Sequence, residues 1–501
     1  MTDNRYCQTS PKSCILEGVT DTELAALTRQ ELIQLAHRHA ATIARLEARI
    51  QELEAQLEEA RRAAKRQAAP FSKGAPKAHP KTAGRQPGHA PAHRPKPERV
   101  DHIEDAPLSS TCFACGGPVV EDRVESQYQV EIPPVQPVVT QFNVHIGHCT
   151  RCGKRAQGRH PQQTSDALGA AAVQLGPRAI ALAAEVKHDL GVPYGKVQRL
   201  FETAFGLQVC RAAFARSDQR LAQCHQGVYQ HLILVLQHSH AVCGDETGWK
   251  IGGHSAWLWV FTNEAVTVYT IDPTRAHTVA QRILGEDFAG VLNCDCFLAY
   301  DPLKYRQQKC LRHLLNRCGE MAESKTGRAV QFSRQVAALL RGAIHLQHRY
   351  QAGQLSTHGY QVACGHLEAA LDRLLEKNLK DADNRRLAEL LKKHRLQLFV
   401  FLYTAGVAPT NAEAEREIRP AVVVRKISAG NRSDVGAETH SVLASVMRTC
   451  RKHGESFIQL AMERLCHPQA ALPEWLRRLG PKVPTPREAS TTAGLATGPP
   501  S

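Results

Sequence analysis

Two kinds of side chain in this sequence are spaced for metal chemistry: paired cysteines, and acids that end apolar runs. Cys112-Phe113-Ala114-Cys115 and Cys149-Thr150-Arg151-Cys152 are two C-x-x-C pairs with 33 residues between them. Each pair can offer two thiolates to one tetrahedral ion, and together they close a four-sulfur shell with no place for water. That donor set suits a structural Zn2+ rather than a catalytic one. Gly116-Gly117 and Gly153 follow the pairs, where tight turns need positive φ. His145 and His148 are substitute ligands or surface bystanders. Residues 128–146 alternate enough Val, Ile and Phe to predict strands, so 101–165 reads as a zinc ribbon. Cys243, Cys294 and Cys296 read as core or near-core thiols.

The acids come from three separate places. The run 241–247 is an apolar strand reaching Asp245 and Glu246, and 290–295 is another ending on Asp295. Between them, 255–262 and 266–271 read as strands and 276–284 as a helix. Hairpin strands, a helix and then a strand with a terminal acid match the start of an RNase H-like fold. The first and fourth strands then lie side by side, making Asp245 and Asp295 neighbours. Close carboxylates repel until a cation neutralises them, and two Mg2+ ions about 3.5–4 Å apart can clamp both oxygens of an in-line phosphoryl displacement. Either Asp alone is weak, since many strands end in an acid that caps a turn.

A third acid should come from a later helix. The run Asn411 to Pro420 offers Glu413, Glu415 and Glu417. Asn411, Glu415, Ile418 and Val422 share one helical face, with Glu413 and Glu417 roughly opposite. The face carrying Ile418 is expected to turn inward, which favours Glu415; the alternative is an exposed Glu415 paired with Arg419. Pro420 is expected to bend or end that helix. Between Asp295 and Glu415 lie 119 residues, more than a minimal core needs, and helical stretches near 329–352 and 366–395 suggest an inserted helical domain.

Other elements must position this chemistry. Residues 23–67 read as one long helix in which Ile43, Leu46, Ile50, Leu53 and Leu57 follow a 4-3 spacing. That stripe predicts a short coiled coil and self-association into a homo-oligomer, or else one amphipathic helix packed on its own domain. Residues 69–100 hold seven Pro and seven Lys/Arg against one acid, a composition expected to stay disordered. Residues 169–223 read as three helices broken at Gly191-Val192-Pro193 and at Gly206, a pattern shared by helix-turn-helix units and ordinary bundles. In the first case Arg211, Arg216 and Arg220 could face double-stranded DNA. The tail from about 484 has no core. The expected division is 1–68, 69–100, 101–165, 166–235, a catalytic core in 236–320 and 401–470 split by the 321–400 insertion, and a 471–501 tail. The fold class is multidomain α/β.

Composition agrees with a polyanionic partner. The 501 residues carry 63 Lys+Arg against 48 Asp+Glu, a formal net charge of +15, and each cation at a phosphate releases a counterion. No apolar run approaches the roughly 18 residues a membrane helix needs. The start, Met1-Thr2-Asp3-Asn4, shows no apolar leader. The 16 cysteines are therefore read in a reducing compartment.

With these residues in view, the chain resembles transposases of the insertion sequence 66 family, the TnpC type. The likeness runs in order from the coiled coil through Pro70-Phe71-Ser72-Lys73, the cysteine knuckles and Asp245-Glu246-Thr247. It is most specific over Glu415-Arg416-Glu417-Ile418-Arg419-Pro420, Arg425-Lys426-Ile427-Ser428, Gly430-Asn431-Arg432-Ser433 and Gly436-Ala437. Cys310-Leu311-Arg312-His313 is similar to a segment after the family's second Asp, so His313 either touches DNA at the scissile phosphate or supports structure. Cys296 and Phe297 stand where the family has Gly and an aromatic, and Ala412 stands where it has a second Asn. Asp301 is the alternative second acid.

The resemblance implies a bacterial cytoplasmic enzyme at the nucleoid, a DDE transposase with Asp245, Asp295 and Glu415 as its triad. Two Mg2+ ions, with Mn2+ as a substitute, would serve cleavage at element ends and strand transfer into target DNA. Arg416, Arg419, Arg425, Lys426 and Arg432 would grip phosphates, and accessory proteins of the same element are possible partners. The rival readings are a catalytically inactive DNA-binding descendant and a structure-specific nuclease.

Overall fold

A computed structural model describes residues 27–65 and 94–480. Residues 69–93 of the expected basic linker over 69–100, with its Pro70–Lys73 run, and the tail beyond 480 lie outside the described residues. The chain divides into two units, Met1–Arg94 and Pro95–Ser501.

In the first unit, helix α1 spans Arg29–Lys65. A reciprocal cap starts it: the Thr28 amide and hydroxyl donate to Glu31 at 2.8 and 2.7 Å. Its 4-3 stripe is open to solvent at Ile43, Leu46, Ile50 and Leu53.

The second unit begins with a two-stranded ribbon, β1 (Ile146–His148) and β2 (Arg155–Gln157). The strands expected over 128–146 are confined to β1. Val130, Ile132, Val138 and Val139 are all at least 79% exposed, so no second layer covers the alternating pattern. Helices α2 (Pro177–His188), α3 (Tyr194–Phe205) and α4 (Arg211–Gln237) follow. Gly206 ends α3 at φ 66°, the left-handed stop that glycine allows. Helix α4 runs well past the expected end at 223. Its Leu221, Leu232 and Leu236 share one core with Ile180, Trp259 and Val268, so it is a wall of the sheet as well as part of the helical block.

The sheet holds β3 (Ala241–Ile251), β4 (His254–Thr262), β5 (Thr267–Asp272), β6 (Val291–Cys294) and β7 (Arg306–Lys309), in the order β5-β4-β3-β6-β7. The first three are antiparallel, whereas β6 runs parallel to both β3 and β7. Helix α5 (His277–Leu284) makes the crossover from β5 to β6. The first and fourth strands are neighbours, as expected. Beyond β7 come α6 (Leu311–Ser324), α7 (Ala329–Gln351), α8 (Thr357–Leu375), α9 (Ala382–Lys393) and α10 (Val400–Tyr403), packed on their own apolar core. The chain returns through α11 (Ala412–Ser428), α12 (Asp434–Lys452), α13 (Phe457–Cys466) and α14 (Glu474–Leu479). Among the described residues no helix is long and apolar enough to cross a membrane.

Two devices lock α11 and α12 to the sheet. Ser441, Ser445 and Thr449, four residues apart on α12, accept hydrogen bonds from the Ile271, Tyr269 and Thr267 amides at 3.2, 2.8 and 3.2 Å. These are outer-edge amides of β5, which would otherwise be unpaired. Between the helices, Asn431 exchanges backbone bonds with Lys250 and Gly252 at 2.9 Å each, and its side chain accepts from the Trp249 indole at 2.8 Å. Gly430 sits at φ 116°, and an added Cβ would lie 2.3 Å from the Lys250 carbonyl oxygen. Gly430→Ala is therefore expected to cost about 1–3 kcal/mol, read as a lower melting temperature.

Candidate active site

The β3–β6 register pairs Cys243 with Asn293. The pairing stops there: Asp245 lies two residues further along β3, on the same face as Cys243 and Trp249 by alternation, and Asp295 just past the end of β6, close enough for its charge to act on Asp245. Cys243 and Trp249 on that face pack against Ala414, Ile418, Ala421 and Val424 of α11. Alternation therefore turns Asp245 toward α11, and turns Glu246 the other way. Glu246 accepts from the Tyr300 hydroxyl at 2.6 Å and pairs with the Arg275 guanidinium at 2.7 Å. That guanidinium lies 3.5 Å from the Phe297 ring centre.

Two asparagines fix the start of α11 to the strands. Asn411 donates to the Gly244 carbonyl at 2.7 Å, and Asn293 donates to Ala408 and Thr410 carbonyls at 2.7 and 3.2 Å. The helix begins at the next residue, so Glu415 falls in its first turn. Its Oε1 stands 3.9 Å from His313 Nδ1, and its Oε2 3.9 Å from Arg312 Nε. The expectation that Glu413 and Glu417 lie opposite the inward face fails for Glu417. That side chain is buried and pairs with Arg448 at 2.9 Å, because the inward face is centred on Ala414, Glu417, Ile418 and Ala421. Glu413 pairs with Lys452 at 2.8 Å. Pro420 neither ends nor splits α11, which continues to Ser428. Asp301 is engaged elsewhere, with Lys393 at 2.5 Å.

The electrostatics tie these groups together. Burial, then Glu246 and Asp295, push the Asp245 carboxyl up to about 7, against the pull of the Glu246 amide and His313. A hydrogen bond to Cys310, with Asp295 and Glu415 nearby, lifts His313 to about 9. His313 thus carries positive charge at neutral pH among the acids. Because Asp245 titrates higher folded than unfolded, its protonation stabilises the fold at low pH, and that contribution is lost as pH rises through about 7. Without added divalent ions, the Asp245 contribution should lower the melting temperature as pH rises from about 4 to about 7, and Asp245→Asn should flatten that fall. Equal slopes in scanning fluorimetry would refute the assignment.

Among the described residues, one group of three metal-ligating side chains has its ligand atoms all within 4.8 Å: Cys310, His313 and Glu415. The oxygens of Asp245, Asp295 and Glu415 are spread more widely than that, as are the four knuckle sulfurs. Each knuckle is nevertheless a tight, hydrogen-bonded turn. Amides from Gly116 and Gly153 close onto Cys112 and Cys149 carbonyls at 2.8 Å, and both glycines have positive φ. Backbone hydrogen bonds hold the Cys112 and Cys149 thiols below the usual range, and Cys115 and Cys152 complete the pairs. His145 immediately precedes β1 and His148 is its last residue, and both are solvent-exposed.

Of the basic residues singled out, Arg211, Arg216, Arg416, Arg419, Lys426 and Arg432 are exposed. Arg220 is half-buried and donates to Gln174 at 3.3 Å, and Arg425 donates to the Gly248 carbonyl at 2.7 Å. Arg425 therefore serves to tie α11 to β3. Sequence reasoning missed Asn293 as an anchor; its signal was a polar residue inside a buried four-residue strand. It also missed Arg275, to which no local pattern pointed.

A mixed sheet with acids on neighbouring strands, covered by an acid-bearing helix in a basic surround, fits the α/β transposases. The model of the IS66 family of transposases matches residues 172–439, over half of the chain, and the chain belongs to that family. The match runs from before α2 to the start of α12 and leaves the knuckles and α1 outside it. A comparison with curated proteins gave no match. Membership implies an enzyme that acts on DNA in transposition.

Proposed function

We propose that this chain cuts DNA at the ends of its element and joins those ends to target DNA, with Asp245, Asp295 and Glu415 as its catalytic acids. The observation that carries the reading is the fate of the three α11 acids. Glu413 and Glu417 are neutralised at 2.8 and 2.9 Å, while Glu415 stays loosely paired, 3.9 Å from the His313 whose charge also acts on Asp245. The strand order supports an RNase H-like core. The donor set fits hard divalent cations: all oxygen, with an Asp245 carboxyl whose negative form burial and like charge disfavour until a cation offsets them. Two Mg2+ ions, or Mn2+, held there would stabilise the attacking and leaving oxygens of an in-line displacement.

The chain's own residues do the rest. Asp245 and Asp295 present oxygens from the rigid sheet, and Glu415 adds one from a helix pinned by Asn411. Charged His313 holds a phosphate oxygen at the rim, and exposed Arg416, Arg419, Lys426 and Arg432 hold flanking phosphates. Direct transfer, first from water and then from the freed 3′-hydroxyl, needs no covalent protein–DNA bond. The knuckles read as a zinc-stabilised DNA-contacting module, with Arg211 and Arg216 as further contacts, and the open stripe of α1 reads as a dimer seam. In a Mg2+ cleavage assay, Glu415→Gln should lose about a hundredfold, or about 2.7 kcal/mol of transition-state stabilisation, while Glu413→Gln keeps most activity. The reverse order would move the third acid.

A further inference from the structure

Cys310, His313 and Glu415 do not form a magnesium site, and their chemistry asks for a different ion. Cys310 precedes α6 and His313 is the third residue of that helix, so both lie on one turn. Cys310 is fully buried and fixed: its amide donates to the Cys294 carbonyl at 2.8 Å, and its sulfur accepts from the Asn411 amide at 3.1 Å. His313 and Glu415 close the rim above that sulfur, all three ligand atoms falling within 4.8 Å of one another. Mg2+ demands an octahedron of oxygens, whereas sulfur, imidazole and carboxylate together suit Zn2+.

We infer that Cys310, His313 and Glu415 form a zinc-class site that shares Glu415 with the catalytic metals and so shuts off cleavage when filled. Zinc bonds of about 2.0–2.3 Å set ligand atoms roughly 3.3–3.7 Å apart, and His313 Nδ1 and Glu415 Oε1 stand at 3.9 Å. A few tenths of an ångström brings that pair to zinc spacing, with the Cys310 sulfur within 4.8 Å of both atoms. Binding displaces the thiol and imidazolium protons to solvent, and three protein ligands leave a fourth position open. The inhibition rests on Glu415 being a catalytic acid; the binding does not.

The test uses the full chain, zinc titration calorimetry, zinc X-ray absorption and Mg2+ cleavage with added Zn2+. Wild type should bind one more zinc than Cys310→Ser, with mixed sulfur and nitrogen/oxygen coordination for that ion. Zinc should inhibit wild-type cleavage, and excess Mg2+ should relieve it. Cys310→Ser should cut normally and need at least tenfold more zinc for half inhibition. His313→Gln, a rim substitution that leaves the core untouched, should lose the same zinc ion. Equal zinc binding in wild type and both variants overturns the site. An extra ion that binds through Cys310 yet leaves cleavage unchanged keeps the site and overturns Glu415 as a catalytic acid.

Discussion

Asp245→Asn should bind element-end DNA within twofold of wild type and cut it at least a thousandfold more slowly. The substitution keeps size and shape, and the amide oxygen can still accept from the Glu246 amide, now at 2.9 Å from Oδ1. What disappears is one negative charge at the position facing both Asp295 and α11. A thousandfold loss corresponds to about 4 kcal/mol of transition-state stabilisation, reasonable for a ligand shared between two ions. DNA affinity should persist because it comes from exposed arginines and lysines and from counterion release. Gel-shift and cleavage assays on the same preparation separate the two. Undiminished cleavage would remove Asp245 from the triad.

Arg448→Ala should lower stability by about 3–5 kcal/mol, the usual cost of stranding one partner of a buried ion pair. The Glu417 and Arg448 side chains are 6% and 18% exposed, and their contact joins α11 to α12. The Tyr269 hydroxyl donates to the Glu417 carbonyl at 2.6 Å, so β5 feels the same joint. At roughly 2 °C per kcal/mol for a domain of this size, the melting temperature should drop by about 6–10 °C. Replacing both partners, as Glu417→Leu with Arg448→Met, should restore much of the loss, because an apolar pair needs no desolvation. A melt unshifted by Arg448→Ala would mean Glu417 finds another cation.

The central sheet was readable because β3 to β6 alternate apolar and polar residues, or are apolar throughout, and end at Gly, Asn or Asp. Strand β7 was not. Its Gln307, Gln308 and Lys309 are wholly buried, and the two glutamines donate to the Tyr300 and Leu398 carbonyls at 2.7 and 2.9 Å. A strand buried through side-chain amides leaves no hydrophobic period to find. Residues 128–146 err the other way: they have strand-like composition and no neighbouring layer to receive it. The two aspartates stand out as candidates at strand ends, and Glu415 as a candidate on its helix. Glu417 was misplaced because a buried acid is intelligible only once Arg448, 31 residues on, is seen against it. The nearness of Cys310 and Glu415 is likewise a product of the fold, since Asn411 and Pro409 draw distant segments together.

The hydroxyl ladder that α12 lays along β5 bears on how copies of this chain can assemble. A sheet margin with free amides invites a strand from another molecule, which leads to swapped dimers or to fibres. Here Ser441, Ser445 and Thr449 occupy those amides. Growth of the sheet on that flank is closed, so copies of the chain brought together on DNA have to meet through other surfaces.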